Sequence, residues 1–539
     1  KAHMTYSICE HTGYGGIFIS FNEMQARKMF EDFSFFYGDE VLFFPSKEIL
    51  LHDVEASSYD AAIHRLRVLD RILSGRYRFI VTSAEAVIQK LISPAWFTEY
   101  SFAFKVGDRV DTDDLSARLV SMGYERVGSV EGRGQFAVRG GILDIFSPNN
   151  DSAMRIDLFG DEIDSIRGFD VLTQRSNDEL GNVSIIPARE VIYPPEKRES
   201  IISSIEDHLR EYIQKILKKS DDGHIKDLKE KIASDIERIR SSHYFPGIDR
   251  FVPYIMDEPA SLMDYCRGEA VVFIDEPARL GQRIDNILLE HQETCKVMME
   301  KGQVLPSSFD ILFEPEDVYK RLDRGRTVHL TAIQSQGYGA IERRSFSIPC
   351  KQLGSYNGHF DLLLEDIRLW KEAQNRILVL SGTRGRGERL AETFRSKGLE
   401  SAYMEEGSPS IQPGQVVIAR GSLNKGFEYP AIGFVLVSDK EVFGQDKRVK
   451  KAARKKEGKK INAFTDLNLG DYVVHQAHGI GQYVGIQKLA VDNIKKDYLK
   501  ILYQAGDYLY IPTSQLDLIQ KYIGPEGKSP KLNKLGGTD

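Results

Sequence analysis

The sequence predicts a multi-domain protein of mixed α/β and α+β class, with a small β-barrel near its C-terminal end. Strands alternate with helices in two separate stretches, short strands cluster between them, and evenly spaced short strands follow residue 471. The chain has 539 residues, whereas single hydrophobic cores stop growing at about 250 to 300 residues. Several domains are therefore expected.

The first α/β domain is expected at residues 5–100. Its apolar runs have the length and composition of buried strands, and they lie at residues 17–19, 41–44 and 79–81. The segments between them carry apolar side chains at helical spacing, over residues 22–36 and 59–74. Strands that alternate with helices imply a parallel sheet.

A small α+β module is expected next, at residues 101–175, inserted into that first domain. After a helix at residues 115–122, four short strands are separated by turn residues, at 135–139, 142–146, 154–159 and 163–169. The first domain then resumes at residues 176–305. Apolar residues advance by three or four from Ile201 to Ile239, which predicts two long helices, and a strand at 271–274 is expected to complete the first sheet.

The second half of the chain divides into four further segments. A separate α/β domain is expected at residues 310–445, with strands at 327–331, 377–380, 416–419 and 434–438. A basic linker follows at 446–465, because residues 447–460 hold nine Lys or Arg and one acid, Glu457. Short strands with Gly-containing turns predict a barrel of the Tudor or SH3-like kind at 466–524, before a tail at 525–539.

Composition argues against several classes of protein. No apolar run approaches the roughly 18 residues of a membrane span, and the N-terminus lacks the pattern of a signal peptide. The net charge of -7 argues against a general nucleic-acid coat, which needs clustered Lys and Arg. The four cysteines are too scattered for a zinc site. We expect a cytoplasmic protein with free thiols and no metal site.

Asp275 and Glu276 follow a buried strand, where a nucleotide-hydrolysing motor carries the carboxylates that hold magnesium. Such a motor also needs a phosphate-binding loop, GxxxxGK followed by Ser or Thr, and the sequence contains none. The nearest match in context, residues 382–389, has Glu388 at the lysine position, where a carboxylate repels phosphate. The sequence therefore predicts no catalytic residue and no cofactor.

Two long motifs carry a family resemblance. Residues 139–146, RGGILDIF, with 154–167, MRIDLFGDEIDSIR, resemble a module shared by the excision-repair subunit UvrB and the transcription-repair coupling factors. Residues 470–475, GDYVVH, and 478–485, HGIGQYVG, resemble the RNA-polymerase-interacting domain of the same coupling factors, which is related to the CarD family. UvrB has no such domain, so both motifs in this order indicate the coupling-factor family.

The resemblance implies a non-catalytic scaffold of transcription-coupled nucleotide excision repair. The family continues beyond Gly537 into an ATP-driven DNA translocase, and this chain ends at Asp539. ATP, magnesium and most DNA contact are therefore expected to belong to that absent motor. The first domain is expected to be UvrB-like and catalytically degenerate.

The resemblance also implies that the module binds UvrA through Arg139, Arg155 and Phe159. Exposed arginines beside an aromatic residue are typical of binding hot spots. On the residues alone, the simpler interpretation is that Phe159 belongs to the core and that the arginines pair with Asp157 and Asp161.

For the barrel, the resemblance implies strand addition onto the RNA polymerase β subunit. The candidate edge is residues 482–489, and the residues expected to meet polymerase are Tyr483, Val484, Ile486 and Leu489. Strict alternation puts Tyr483 and Leu489 on one face and Val484 and Ile486 on the other, with the core-facing side undetermined. An ordinary interior strand is the competing interpretation.

Two other functions compete with the scaffold. One is an active nucleotide-dependent DNA motor or UvrB-like damage-loading helicase, supported by Asp275, Glu276 and the two α/β units. The other is a CarD-like transcription regulator on an unrelated body. Nucleotide hydrolysis would distinguish the first, and a lack of UvrA binding would distinguish the second.

Overall fold

The computed structural model describes residues 1–49, 51, 60–216, 222–241, 245, 247–266, 270–333, 344–404, 410–444, 459–460, 467–475, 479–491, 494–504, 507–512, 519–522, 530 and 532–533. Side chains at 178, 222–224, 459–460, 488–491, 494–497 and 512 lie outside this description. Within the described ranges, no helix combines the length and the apolar character needed to cross a membrane.

The first sheet has five strands, and all neighbouring strands run parallel. In spatial order they are Arg326–Leu330, Ala270–Asp275, Gly15–Ser20, Phe79–Ser83 and Val41–Phe43. In the central strand, Ile17 and Ile19 enter one core and Phe18 enters another. Both faces of the sheet are therefore covered, which explains why its strands are continuously apolar. The predicted parallel sheet is confirmed.

Helices cover both faces of this sheet. They are Ala2–Thr12, Glu23–Tyr37, Asp60–Leu73, Ala84–Val87, Pro94–Glu99, Arg198–Ile216, Asp222–Arg240, Val252–Ile255, Leu262–Tyr265, Pro277–Glu300 and Pro315–Leu322. The two long helices predicted after residue 199 are confirmed as Arg198–Ile216 and Asp222–Arg240, which contact each other. Ile205 and Ile232 from this pair are buried in the core beneath the sheet.

The strand at Arg326–Leu330 corrects the predicted start of the second α/β domain. The prediction assigned residues 310–445 to that domain, but this strand pairs in parallel with Ala270–Asp275. Ile311, Val318 and Leu322, which precede it, are buried in the core of the first sheet. Both α/β domains consist of strands that alternate with helices. The sequence pattern of a helix followed by a strand therefore does not reveal which of the two sheets the strand joins.

The module is built on an antiparallel sheet of six strands, in which only the short outermost pair runs parallel. In spatial order the strands are Ser176–Leu180, Glu162–Phe169, Ala153–Phe159, Ile142–Phe146, Gln135–Arg139 and Glu125–Arg126. Phe102–Lys105 pairs with Asn182–Ile185 beside it. The helix Thr112–Ser121 packs Leu115 and Leu119 into its core.

The four predicted module strands are confirmed, but the module extends beyond the predicted end at residue 175. Ser176–Leu180 pairs with Glu162–Phe169, and Asn182–Ile185 pairs with the first strand of the module. Val183 and Ile185 are buried in the module core. Short polar runs such as Ser-Asn-Asp-Glu carry little strand signal, so the sequence did not reveal these pairings.

The second α/β sheet also has six strands. In spatial order they are Lys351–Gln352, Phe427–Tyr429, Phe434–Val437, Arg376–Ser381, Val416–Arg420 and Ala402–Met404, of which the last four run parallel. Its helices are Phe360–Glu372, Arg384–Ser396 and Asp439–Phe443. This sheet contacts the helix Glu23–Tyr37, where Asp32 accepts hydrogen bonds from the Asn424 backbone amide at 2.7 Å and side-chain amide at 2.9 Å.

The C-terminal sheet is antiparallel throughout. In spatial order its strands are Lys459–Lys460, Ile519–Lys521, Tyr472–His475, Gly479–Val491, Ile494–Leu502 and Tyr508–Pro512. Its core contains Val473, Leu499 and Ile501. The predicted basic linker at 446–465 lies outside the described residues, except for Lys459 and Lys460.

Candidate docking sites on the module and the C-terminal sheet

Adjacent strands of the module bring two arginines to one buried carboxylate. Asp144 lies directly opposite Arg155 on the next strand. Arg139 pairs across its hairpin with Ile142, two residues before Asp144. Because cross-strand partners and residues two apart share a face of a sheet, all four lie on one face. Phe159 joins them four residues after Arg155, and we call this surface the arginine face.

Asp144 is fully buried and binds both arginines. Its Oδ1 accepts a hydrogen bond from Arg155 Nε at 2.7 Å, and its Oδ2 accepts from Arg155 Nη2 at 2.9 Å. Arg139 Nη2 donates to Oδ2 at 2.5 Å. A buried carboxylate is costly unless it is paired and hydrogen-bonded. One carboxylate therefore fixes two guanidinium groups.

The two arginines differ in their surroundings. The side chain of Arg155 is 17% exposed, lies 4.7 Å from the centre of the Phe169 ring, and donates from Nη1 to the Gln174 carbonyl at 3.3 Å. The hydrogen bonds to Asp144 raise the pKa of the Arg155 guanidinium above its ordinary value. The side chain of Arg139 is 47% exposed. Arg139 is the more accessible of the two.

Phe159 is 84% exposed at the end of its strand, just before the Gly160 turn. The competing interpretation from sequence, that Phe159 is core and that the arginines pair with Asp157 and Asp161, is therefore wrong. Asp157 binds Arg167, and Asp161 lies 3.9 Å from Arg109. An exposed phenylalanine on the same face as fixed arginines is the composition of a protein-binding hot spot.

Asp144 and Ile142 also belong to this face, although neither was among the residues predicted from the sequence. Ile142 is an exposed large apolar residue next to Arg139. Asp144 is the one charged residue in the apolar strand Ile142–Phe146. A lone acid in a buried strand needs a cationic partner, and this signal could have linked Asp144 to the arginines.

The C-terminal sheet holds the second predicted site, on the strand Gly479–Val491. Its pairing with Ile494–Leu502 shifts register between Tyr483 and Gly485, and Gly485 has φ of 126°. Such a bulge interrupts the two-residue alternation of a strand, and glycine tolerates this backbone conformation. Tyr483 and Ile486 consequently both pack against the core, although strict alternation predicted opposite faces.

Tyr483 is 1% exposed, so its side chain belongs to the core. This corrects the prediction that Tyr483 meets polymerase, since a buried ring offers no surface to a partner. Ile486 is half-buried and packs on the same core, and Val484 is half-buried at the register shift. The side chain of Leu489 lies outside the described residues.

One edge of this strand changes character along its length. Residues 479–482 pair with Tyr472–His475, and the Tyr483 amide still donates to the Asp471 carbonyl at 2.8 Å. From residue 484 to 491, the described part of the chain contributes pairing only on the other side, through Ile494–Leu502. The candidate edge at 482–489 is thus interior at its start and open afterwards.

The carboxylates that suggested a motor are already engaged. Asp275 accepts hydrogen bonds from Ser20 Oγ at 3.0 Å and Lys1 Nζ at 2.6 Å. Burial acts to raise the pKa of Glu276, but hydrogen bonds from Lys1 and the Ala332 amide outweigh it and lower that pKa below its ordinary value. The central strand passes directly from Ser20 to a helix capped by Asn22. That connection is too short for a phosphate-binding loop.

The nearest phosphate-loop match, at residues 382–389, is likewise occupied by protein groups. Thr383 caps the helix Arg384–Ser396, and Glu388 binds Arg384 at 2.8 Å. The Asp439 carboxylate lies beside Gly382 and Arg386. A carboxylate at this helix N-terminus takes the place that a phosphate would need.

Two family profiles match the chain. One is described as UvrB interaction domain and covers residues 102–191, which agrees with the extended limits of the module. The other is described as CarD-like/TRCF RID domain and covers residues 467–523, the C-terminal sheet.

Curated relatives match nearly the whole chain. A transcription-repair-coupling factor from Bacillus subtilis (strain 168) is 30% identical over all of this chain, which covers 46% of that relative. A protein of the same name from Staphylococcus aureus (strain MRSA252) is 30% identical over 97% of the chain and is covered to 44%. The chain thus spans about half the length of these relatives. It is a homologue of the transcription-repair-coupling factors that corresponds to their N-terminal part.

Proposed function

We propose that the chain is a non-catalytic docking platform of transcription-coupled nucleotide excision repair. The module would bind UvrA, and the C-terminal sheet would bind the β subunit of RNA polymerase. The observation that carries the proposal is that a UvrB interaction domain and a CarD-like/TRCF RID domain match one chain in this order. A platform of this kind brings a repair protein to a polymerase without chemistry of its own.

The arginine face supports the first contact. Arg139 and Phe159 are exposed within the profile-matched segment, and Asp144 holds the arginines in place. Arginine and aromatic side chains give large contact area and directed hydrogen bonds at modest entropy cost. We propose Arg139, Arg155 and Phe159 as the UvrA-binding set, with Ile142 at its border.

The open strand edge supports the second contact. Residues 484–491 leave one side of the strand without a partner in the described part of the chain. An extended segment of another protein can add to such an edge through backbone hydrogen bonds. We propose that the polymerase β subunit adds a strand here, with Val484, Ile486 and Leu489 near the contact.

The proposal includes a division into domains. The first sheet and its helices form a UvrB-like domain interrupted by the module at residues 101–191. The second α/β sheet forms another domain, and the C-terminal sheet is a small barrel of the Tudor or SH3-like kind. DNA contact and ATP use would belong to the motor of the full-length relatives, and the compartment would be the cytoplasm.

Retention of each partner on the immobilised chain, with an ATPase assay in the presence of DNA, tests the proposal. Purified UvrA and the polymerase β subunit should each be retained without ATP, and ATP turnover should stay at background. Turnover stimulated by DNA would support a motor instead. Retention of the β subunit without UvrA would support a CarD-like regulator.

A further inference from the structure

The arginine face contains two arginines that share one carboxylate but differ in what they leave free. Asp144 is fully buried, and every hydrogen bond described to its oxygens comes from Arg139 or Arg155. Removing one partner of a buried charge is costly, because the remaining charge stays unpaired. The three side chains therefore form one unit.

The guanidinium group of Arg155 is fully engaged by groups of the module itself. Each of its three nitrogens donates to a protein group: Nε and Nη2 to Asp144, and Nη1 to the Gln174 carbonyl. Its guanidinium also lies over the Phe169 ring. Little of Arg155 remains for a partner to touch.

Arg139 makes fewer hydrogen bonds within the module than Arg155 and is more exposed. Only its Nη2 donates within the described residues, whereas Nε and Nη1 make no hydrogen bond there. Nearly half of its side chain is exposed, opposite Ile142 and on the same face of the sheet as Phe159. A guanidinium with one side fixed and another side free can still form a forked pair with a carboxylate.

The local charge indicates the chemistry of the partner. Two guanidinium groups face the single carboxylate of Asp144, while the neighbouring Asp157 is paired with Arg167. The face therefore keeps an uncompensated positive charge at Arg139. Complementary potentials favour a negatively charged group on the partner surface.

We propose that Asp144 is a positioning residue, which with Arg155 holds Arg139 ready to bind a carboxylate of the partner protein. Arg139 then meets the partner directly, and Arg155 acts through Asp144. This inference rests on the proposed binding of UvrA by the module. It assigns different roles to two arginines of the same face: Arg139 contacts the partner, and Arg155 helps to hold Arg139 in position.

Preorganisation predicts a specific pattern of affinities. Ordering a long side chain on binding costs about 0.5 to 1.5 kcal/mol, which corresponds to about twofold to tenfold in affinity. Asp144→Asn should weaken UvrA binding by about that factor, since Arg139 is then no longer held. Arg139→Ala should weaken binding about thirtyfold or more. Because Asp144 acts through Arg139, adding Asp144→Asn to Arg139→Ala should cause no further loss.

The test is a double-mutant cycle with the whole chain and purified UvrA, measured by equilibrium binding at several salt concentrations. Asp151→Asn is the matched control, because Asp151 is an exposed carboxylate of the module that pairs with Arg67 and bonds neither Arg139 nor Arg155. It should bind like the unchanged chain. Salt dependence should decrease in Arg139→Ala and persist in Arg155→Lys, which keeps a cation beside Asp144.

Each outcome decides the proposal. Losses that multiply in the double variant would overturn the role of Asp144 while leaving UvrA binding by the module intact. Failure of the unchanged chain to bind UvrA would overturn both this inference and the proposed function. If Asp144→Asn unfolds the module, the lysine variants decide instead: Arg139→Lys must lose more affinity than Arg155→Lys, and equal losses contradict the proposal.

Discussion

The module and the C-terminal sheet offer two different kinds of surface to a partner. On the module, the strands that form the arginine face pair edge to edge with their neighbours. The groups that this face exposes are therefore side chains, Arg139 and Phe159. On the C-terminal sheet, Tyr483 and Ile486 pack into the core, and residues 484–491 have a strand partner on one side only within the described part of the chain. Charge and aromatic area characterise the first surface, and unpaired peptide groups characterise the second. Substitutions should therefore affect the two contacts in different ways.

The largest expected effect is on stability, from Tyr483→Ala. Removing a large ring from a core costs about 3 kcal/mol or more, because a cavity remains. Denaturant unfolding, monitored by protease cleavage within the C-terminal sheet, should show this loss of stability. Val484→Ala, at a half-buried neighbour, serves as the control and should change little. Normal stability with lost polymerase binding in Tyr483→Ala would show that its ring meets the partner after all.

On the module, Arg139→Ala should weaken UvrA binding by about 2 kcal/mol while the module stays folded, because Arg155 still pairs with Asp144 and exposed hot-spot side chains contribute more to binding than to folding. Binding can be followed by calorimetry on the whole chain. Arg109→Ala is the matched control, since Arg109 is another exposed arginine of the module. The arginine face loses its assigned role if both variants bind equally well.

At the strand edge, Ile486→Asp and Leu489→Arg should separate folding from binding. Ile486 packs on the core, so an aspartate there should reduce the free energy of unfolding of the C-terminal sheet by about 1 to 3 kcal/mol and lower its melting temperature. Leu489→Arg should weaken binding of the polymerase β subunit about tenfold while the sheet stays folded. Surface plasmon resonance and thermal melting report the two effects. Normal binding by a folded Leu489→Arg variant argues against strand addition.

The smallest expected effect distinguishes the two contacts by salt. Exposed charges are screened over about 8 Å at roughly 0.15 M salt. Raising salt toward this level should weaken UvrA binding severalfold, because Arg139 carries an uncompensated charge. The proposed polymerase contact, which backbone hydrogen bonds would hold, should form more slowly but keep most of its affinity. Equal salt sensitivity of both contacts would remove the distinction between them.

The sequence predicted much of the fold for a physical reason. The apolar run around Phe18 and the helical spacing from Ile201 to Ile239 record burial directly, so both features were confirmed. The prediction placed the strand Arg326–Leu330 in the second α/β sheet, whereas it belongs to the first. Pairing between strands that are distant in the chain leaves no pattern in the local sequence. The strand Ser176–Leu180 was missed for a different reason, because a short polar run carries little strand signal.

The candidate sites were predictable to different degrees. Arg139 and Phe159 could be singled out by residue type and resemblance, and their exposure agrees with that choice. Asp144 was missed, since its role depends on two neighbouring strands. Tyr483 was included in a binding surface because the sequence left the core-facing side of its strand undetermined, and the bulge at Gly485, which brings Tyr483 and Ile486 to the same core, leaves no mark in the alternation.

Simultaneous binding of both partners tests the central claim most directly. The immobilised chain should retain UvrA and the polymerase β subunit together, each at the level seen when it is applied alone. Arg139→Ala should then lose only UvrA, and Leu489→Arg should lose only the β subunit. Competition between the two partners, or loss of both from either single variant, would contradict a platform with two independent docking surfaces.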